Sequence, residues 1–321
     1  MAPVKTSIKK HSIVLLCVLA LSACAGPESF VDLEVVDAKA GSRGNIASLS
    51  KVIQKNPRDA AAYNTRGSAY GSAGRVTAAL ADFNNALSID PNFYQAYANR
   101  ALIHRASNND NAALADYRKA ISINDQYDVA YIGIGNIFRS KGNSPKALEN
   151  YNKAIAIGTT DPRAYHNRGL LYQINNRNNE AIDDFTTAIS LAPREDAPWN
   201  GRGASYLAIG NYKAALNDFN ESLRRKRRSH TAWTNRGFAE EKLEEFTKAK
   251  ASYEAALRVR PNHKPAAQGL ARVAKLKKQQ RKSKRKIKST PNEPRESSNK
   301  PSESSEPTNK PSESADRADD S

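Results

Sequence analysis

Cysteine is almost missing from this 321-residue chain: two are present, Cys17 and Cys24, and both lie in the first segment. The rest of the chain therefore has no disulfide framework and no thiolate set for a metal. Histidine is scarce as well. His11, His104, His166, His230 and His263 never fall four residues apart and form no short metal-binding pattern. No apolar run reaches the roughly 20 residues that a membrane-spanning helix needs; the longest, Ile13–Leu21, is less than half of that. Nucleophile elbow, phosphate loop and zinc signature are all absent from the sequence, as is a carboxylate pair outside the repeat logic set out below. These absences lead us to expect a protein that is not an enzyme, with no cofactor and no metal.

What is present begins with an address. Lys5, Lys9 and Lys10 form a positive region, Ile13–Leu21 an apolar one, and the small residues Ser22 and Ala23 follow. That order is the pattern of a secretory signal; a buried helix with an accidental cysteine is the alternative. Leu21-Ser22-Ala23-Cys24 resembles the bacterial lipobox. The resemblance implies cleavage after residue 23 and acylation of Cys24, and several acyl chains anchor stably where one binds only marginally. Ala25 stands where an aspartate would disfavour the outer membrane, so the expected location is the cell envelope, at the periplasmic face of the outer membrane. Residues 24–43 are then the lipidated cysteine and a flexible tether.

From residue 60 the sequence is periodic. Six segments begin at Ala60, Tyr94, Asp128, Pro162, Asp196 and His230, 34 residues apart with no insertion. Position 4 of each is aromatic: Tyr63, Tyr97, Tyr131, Tyr165, Trp199 and Trp233. Position 8 is small, glycine in all but the second unit, where it is Ala101; position 20 is alanine throughout. Position 24 is again aromatic: Phe83, Tyr117, Tyr151, Phe185, Phe219 and Tyr253. Turn signals such as Ser72-Ala73-Gly74 and Ile209-Gly210-Asn211 divide each unit into two helical patterns. Small residues at 8 and 20 let two helices approach closely, and the rings fill the space between neighbours.

This pattern resembles the tetratricopeptide repeat over residues 60–263. The resemblance implies an all-α fold: a solenoid of six helix-turn-helix units, stable only through stacking. Residues 44–59, with Leu49, Val52 and Pro57, read as a leading partial repeat that caps the array. Residues 264–288 read as a capping helix with Leu270, Val273, Ala274 and Leu276 on its packing face, continued by a basic extension. Residues 289–321 are rich in Pro, Ser and Glu, and Asn-Lys-Pro-Ser-Glu-Ser occurs there twice. So little apolar surface cannot offset ordering entropy, and a disordered tail is expected.

Two departures from the family carry information. Position 7, commonly leucine, is Arg66, Arg100, Arg168, Arg202 and Arg236, with Ile134 in the third unit. Position 23 is Asp82, Asp116, Asp184 and Asp218, but Asn150 in the third unit and Ser252 in the sixth. The co-occurrence predicts an Arg–Asp bond bracing the two helices, against a reading of two independent surface charges.

In this family the first helices line the inner face, and there the sequence places Asn64, Asn99, Asn136, Asn167, Asn200 and Asn235. Amides offer donors and acceptors together, so a ladder of them is able to hold the backbone of an extended peptide. A similar ladder occurs in the repeat arm of the O-linked N-acetylglucosamine transferases; a plain solvated surface is the other reading. Arg163 and His166 offer an anion contact in the fourth unit or are surface residues.

Two basic blocks remain. One is Arg224, Arg225, Lys226, Arg227 and Arg228; the other includes Lys277, Lys278, Arg281, Lys282, Lys284, Arg285 and Lys286. For an exported chain, anionic lipid or lipopolysaccharide head groups suit them better than nucleic acid, since no aromatic residues interleave them. A solvated helix extension is the alternative. The functional expectation is an envelope adaptor that binds protein or peptide partners, such as cell-wall enzymes, proteases or outer-membrane assembly factors. The other candidate is a surface lipoprotein that binds host or polysaccharide anions through the basic blocks.

Overall fold

The computed structural model describes residues 41–289, with side chains as far as Ser283. The proposed signal, Cys24 and most of the tether, together with the Pro/Ser/Glu segment, lie outside the described residues. The described part is helical with no strand. Helix α1 (Arg43–Lys55) leads into six hairpins: α2 (Ala60–Ser72) with α3 (Val76–Ile89), α4 (Tyr94–Ala106) with α5 (Asp110–Ile123), and α6 (Asp128–Ser140) with α7 (Ser144–Ala156). Then come α8 (Pro162–Ile174) with α9 (Asn178–Leu191), α10 (Asp196–Ala208) with α11 (Tyr212–Arg225), and α12 (His230–Lys242) with α13 (Phe246–Val259). Helix α14 (Lys264–Ser289) closes the series. Two compact units divide the chain, Met1–Lys275 and Leu276–Ser321; the described part of the second is the end of α14.

Local chemistry starts and stops these helices. Asp59, Asn109, Asn143, Asp161, Asn211 and Ser229 each accept a hydrogen bond from a first-turn amide of the helix that follows. Capping of this kind satisfies a donor with no intrahelical partner. Within a hairpin the chain reverses through one residue of positive φ. Units one, three and five use Gly74, Gly142 and Gly210; units two, four and six use Asn108, Asn176 and Glu244. Glycine takes that conformation freely, and asparagine tolerates it, whereas glutamate is strained in it.

Packing is set by the ring at position 24. Phe83, Tyr117, Tyr151, Phe185, Phe219 and Tyr253 are all fully buried. Each lies against its own first helix, where position 8 is glycine in every unit but the second, for want of room: a Cβ on Gly135 would stand 2.6 Å from Cε1 of Tyr151. Alanines at position 20 are completely buried beside them. The rings of units two, four and six also reach the following first helix, at Gly133, Gly201 and Gly269. The rings of units one, three and five are instead followed at that position by Asn99, Asn167 and Asn235. Together with the alternating turn residues, this makes the true structural period two units.

At the ends, α1 caps the first hairpin through buried Ile46 and Ile53. Leu49 is only partly covered, and Val52, expected on the packing face, is 45% exposed because the helix turns the neighbouring Ile53 inward instead. Ala266 and Val273 of α14, with Leu270, pack with Tyr253 at the other end, whereas Ala274, expected on that face, is exposed. The leading and closing helices thus cover faces that would otherwise meet water.

Two expected outcomes follow from the packing, both read from urea unfolding midpoints. Gly201→Ala places a methyl 2.7 Å from the Phe185 ring and costs about 1–3 kcal/mol. Glu244→Gly removes the strain of a positive φ at an exposed turn and adds up to about 1 kcal/mol.

Candidate partner-binding face

Arginines at position 7 are braces. Arg66 donates through Nε and Nη2 to both carboxylate oxygens of Asp82, at 2.7 and 2.8 Å. Arg100 does the same with Asp116, Arg168 with Asp184, and Arg202 with Asp218. The remaining nitrogen crosses to the preceding unit, at Ser50, Asn84, Asn152 and Thr186 respectively. Each guanidinium therefore ties two helices of its own unit to the one before. The carboxylate hydrogen bond holds these guanidinium pKa values above their ordinary range against the opposing effect of burial. Position 7 aromatic neighbours add cation–π contact, as with Arg202 lying 5.1 Å above Trp199.

The exceptions are chemically consistent. In the third unit Ile134 is buried where the arginine would be, and Asn150 donates to its own helix at Lys146 O. In the sixth, Arg236 bonds Glu240 at 3.0 Å, and Glu240 accepts from Ser252 at 2.6 Å. The acceptor has moved from the second helix to the first. Sequence reasoning missed Glu240, although a lone acid at position 11, where most units carry an aromatic, was the visible signal.

Consecutive first helices touch one another from α2 to α12, whereas consecutive second helices do not touch among the described residues. The first helices therefore form the inner wall of the stack. On that wall the six candidate asparagines are brought together as three pairs. Asn99 Nδ2 donates to Asn64 Oδ1 at 3.0 Å, Asn167 to Asn136 at 2.8 Å, and Asn235 to Asn200 at 3.4 Å. Each pair crosses from an odd unit to the next even one, matching the two-unit period. Asn136 also accepts from the Tyr151 hydroxyl at 2.7 Å. Asn167 is buried and the others are partly so, so the amides first join repeats and present only their remaining donors and acceptors outward.

Between α4, α6 and α8 lies a shallow cleft. Leu102, Val129 and Ile132 supply its apolar side, and Arg105, Asn136 and Arg163 its polar one. Arg163 is drawn onto Asp161 at the cap of its own helix. His166, against the Phe185 ring, is pushed down to about 4 by burial and by the nearby charge of Arg139. Burial likewise raises the Tyr151 hydroxyl to about 12, with Arg139 and Arg105 pulling the other way.

The first basic block is divided in use. Arg224 and Arg225 bond Glu221, and Arg225 also donates to Pro193 O while lying over Trp199. Lys226, Arg227 and Arg228 are exposed in the turn before α12. In the second block Lys278, Arg281 and Lys282 are exposed on α14 and Lys277 is half-buried; Lys284, Arg285 and Lys286 lie on the same helix.

The third unit offers its own test of the brace. Asp184→Ala leaves Arg168 without its carboxylate and lowers stability by about 3 kcal/mol; the pair Arg168→Ile with Asp184→Asn, copying unit three, recovers most of that loss. Thermal unfolding of the three variants checks it. For His166, the folded pKa of about 4 lies below the ordinary 6.5, so the unfolded chain takes up its proton first. Stability is then complete above pH 6.5 and falls as pH drops towards 4. His166→Asn, the residue of units one and five, flattens that slope in a melting-temperature series.

Comparison with known proteins agrees with this architecture. Tetratricopeptide-repeat models match residues 60–93, 94–127, 162–195 and 200–267, and a further TPR repeat model matches 135–175. No curated protein sequence matches the chain. Among solved structures, a chain of the APC/C hetero-tetramer Cut9–Hcn1 is similar at 19% identity and a TM-score of 0.63, covering 74% of this chain and 47% of that one. This chain thus spans about half of that protein's length. The pilF protein of Pseudomonas aeruginosa is similar at 18% identity and a TM-score of 0.62, covering 68% of this chain and 100% of that one. YrrB, a TPR protein with an unusual peptide-binding site, is 22% identical with a TM-score of 0.51, covering 58% and 96%. At these identities the likeness concerns fold alone, but the repeat models together span more than half of the sequence, and the chain belongs to the tetratricopeptide-repeat proteins.

Proposed function

We propose that this protein is a lipid-anchored scaffold of the bacterial cell envelope that holds protein or peptide partners on its first-helix wall and catalyses nothing itself. The observation that carries the binding half is the wall: six first helices in contact, with paired amides and a mixed polar and apolar cleft. Such a surface supplies backbone donors and acceptors along a line, which suits an extended chain. YrrB, with its peptide-binding site, and PilW, a type IV pilus biogenesis factor of TM-score 0.57 and 16% identity, are precedents for what the fold is used for. The anchoring half rests on Leu21-Ser22-Ala23-Cys24 after a basic and an apolar stretch. No helix among the described residues is long and apolar enough to cross a membrane.

The surface-lipoprotein reading has one observation in its favour, the exposed trio Lys226, Arg227 and Arg228. Charge of that kind attracts polyanions in a salt-dependent way, yet it gives no shape to recognise.

Palmitate labelling and fractionation test the anchor. The wild-type chain takes the label and sediments with the envelope; Cys24→Ser loses both. A labelled Cys24→Ser chain, or an unlabelled wild-type chain in the cytosol, contradicts the proposal.

A further inference from the structure

The inner wall carries a charge feature that its framework does not use. Among the arginines of the first helices, those at position 7 each hold a carboxylate and Arg163 is held by Asp161. Arg105 and Arg139, at position 12 of α4 and α6, face no carboxylate among the described residues. Both are only partly exposed. Arg139 keeps Nε fully buried without a hydrogen-bond partner, and the nearby His166 does the same with Nδ1. Guanidinium groups withdrawn from water and left uncompensated are costly, and an arriving anion relieves that cost.

The neighbourhood is built for one carboxylate. Positions 2, 5, 6, 9 and 12 of the first helices hold no Asp or Glu in units one to five, so no acidic side chain at these positions competes for the two arginines. The Tyr151 hydroxyl is close to Arg139 and anchored on Asn136, which pairs with Asn167. Arg105 lines the same cleft as Leu102, Val129 and Ile132. A planar guanidinium matches a carboxylate fork, while the partly exposed Leu102 and Val129 suit an apolar neighbour of that carboxylate. A polyanion backbone would gain nothing from those two.

We propose that units two to four recognise an acidic residue adjacent to an aliphatic one within an extended peptide. Arg105 and Arg139 hold the carboxylate, and Leu102 and Val129 take the aliphatic side chain. The inference rests on the first-helix wall being the partner-binding surface and adds the chemistry of what it selects. Positions 12 of the other units fit this placement. Gly71 and Leu207 carry no charge, Gln173 is spent on Gly201 O and Ser205, and Glu241 is taken by Arg272.

Fluorescence anisotropy of the full chain with an end-blocked peptide of alternating Glu and Leu, flanked by Gly-Ser, tests it. The peptide binds, and its Gln-for-Glu counterpart binds at least tenfold more weakly, as loss of a charge-assisted bond implies. Arg105→Gln and Arg139→Gln each weaken binding at least tenfold with the helical signal intact, whereas the double variant Arg227→Gln, Arg228→Gln leaves it unchanged. Arg105→Glu restores affinity for the Lys-for-Glu peptide, which separates a recognition role from a folding defect at Arg105. Equal binding of the Glu and Gln peptides overturns the inference, as does equal loss at Arg227 and Arg228, which would mark a general polyanion surface. If neutral peptides bind and an Asn136→Ala variant releases them, only the acidic preference fails. If no peptide of a mixed-sequence pool binds at all, the wall itself fails as a peptide site.

Discussion

Everything in this fold depends on a close approach: an aromatic ring at position 24 pressed against a first helix that offers at most a methyl at position 8, and in five of six units no side chain at all. The ring fills the gap between helices that neither helix closes alone, and the missing Cβ lets the backbones come near enough for the ring to be buried completely. Because Tyr117, Phe185 and Tyr253 also reach the next unit at Gly133, Gly201 and Gly269, the same contact that closes a hairpin stacks it on its neighbour. Stability then resides in nearest-neighbour contacts, and the chain gains length without enlarging a core.

The charged braces are built on that packing. With the helices held close, position 7 and position 23 stand near enough for a forked ion pair, and the third guanidinium nitrogen is left to cross the unit boundary. Burial makes such a pair expensive to break but gives it modest net value. Unit three shows the apolar solution to the same problem, with Ile134 and Asn150, and its brace-free wall is where Arg139 stands. Structural charge and unused charge are therefore separable in this molecule: the former has a carboxylate partner on its own hairpin, while of the latter Arg105 lines the cleft and Arg139 lies beside the Tyr151 hydroxyl.

Much of the fold was legible because its determinants recur at fixed spacing. A glycine or alanine at position 8 and a ring at position 24, repeated six times, state a local geometry directly, and the Arg–Asp pairing could be read from joint presence and absence. The second-order period was equally written, in Gly74, Gly142 and Gly210 alternating with Asn108, Asn176 and Glu244, but alignment on a single unit averages it away. Glu240 escaped because it replaces an aromatic on the other helix of the hairpin, so no comparison within one column reveals it. The asparagines were found, yet their pairing depends on the rotation between successive hairpins, which residue spacing does not encode. Arg105 and Arg139 went unremarked for the opposite reason. A lone arginine in sequence says nothing until its surroundings show that no acid meets it.

A binding scaffold of this kind meets its partners on one wall of the stack, and the first-helix wall is the one with the unspent amides and the cleft. A photoreactive amino acid placed at Leu102 or Asn136, on the first-helix wall, and at exposed Lys119 on α5 answers this in living cells. The account predicts discrete protein adducts from the two inner positions and none from Lys119. Adducts from Lys119 with silence at Leu102 and Asn136 would contradict it.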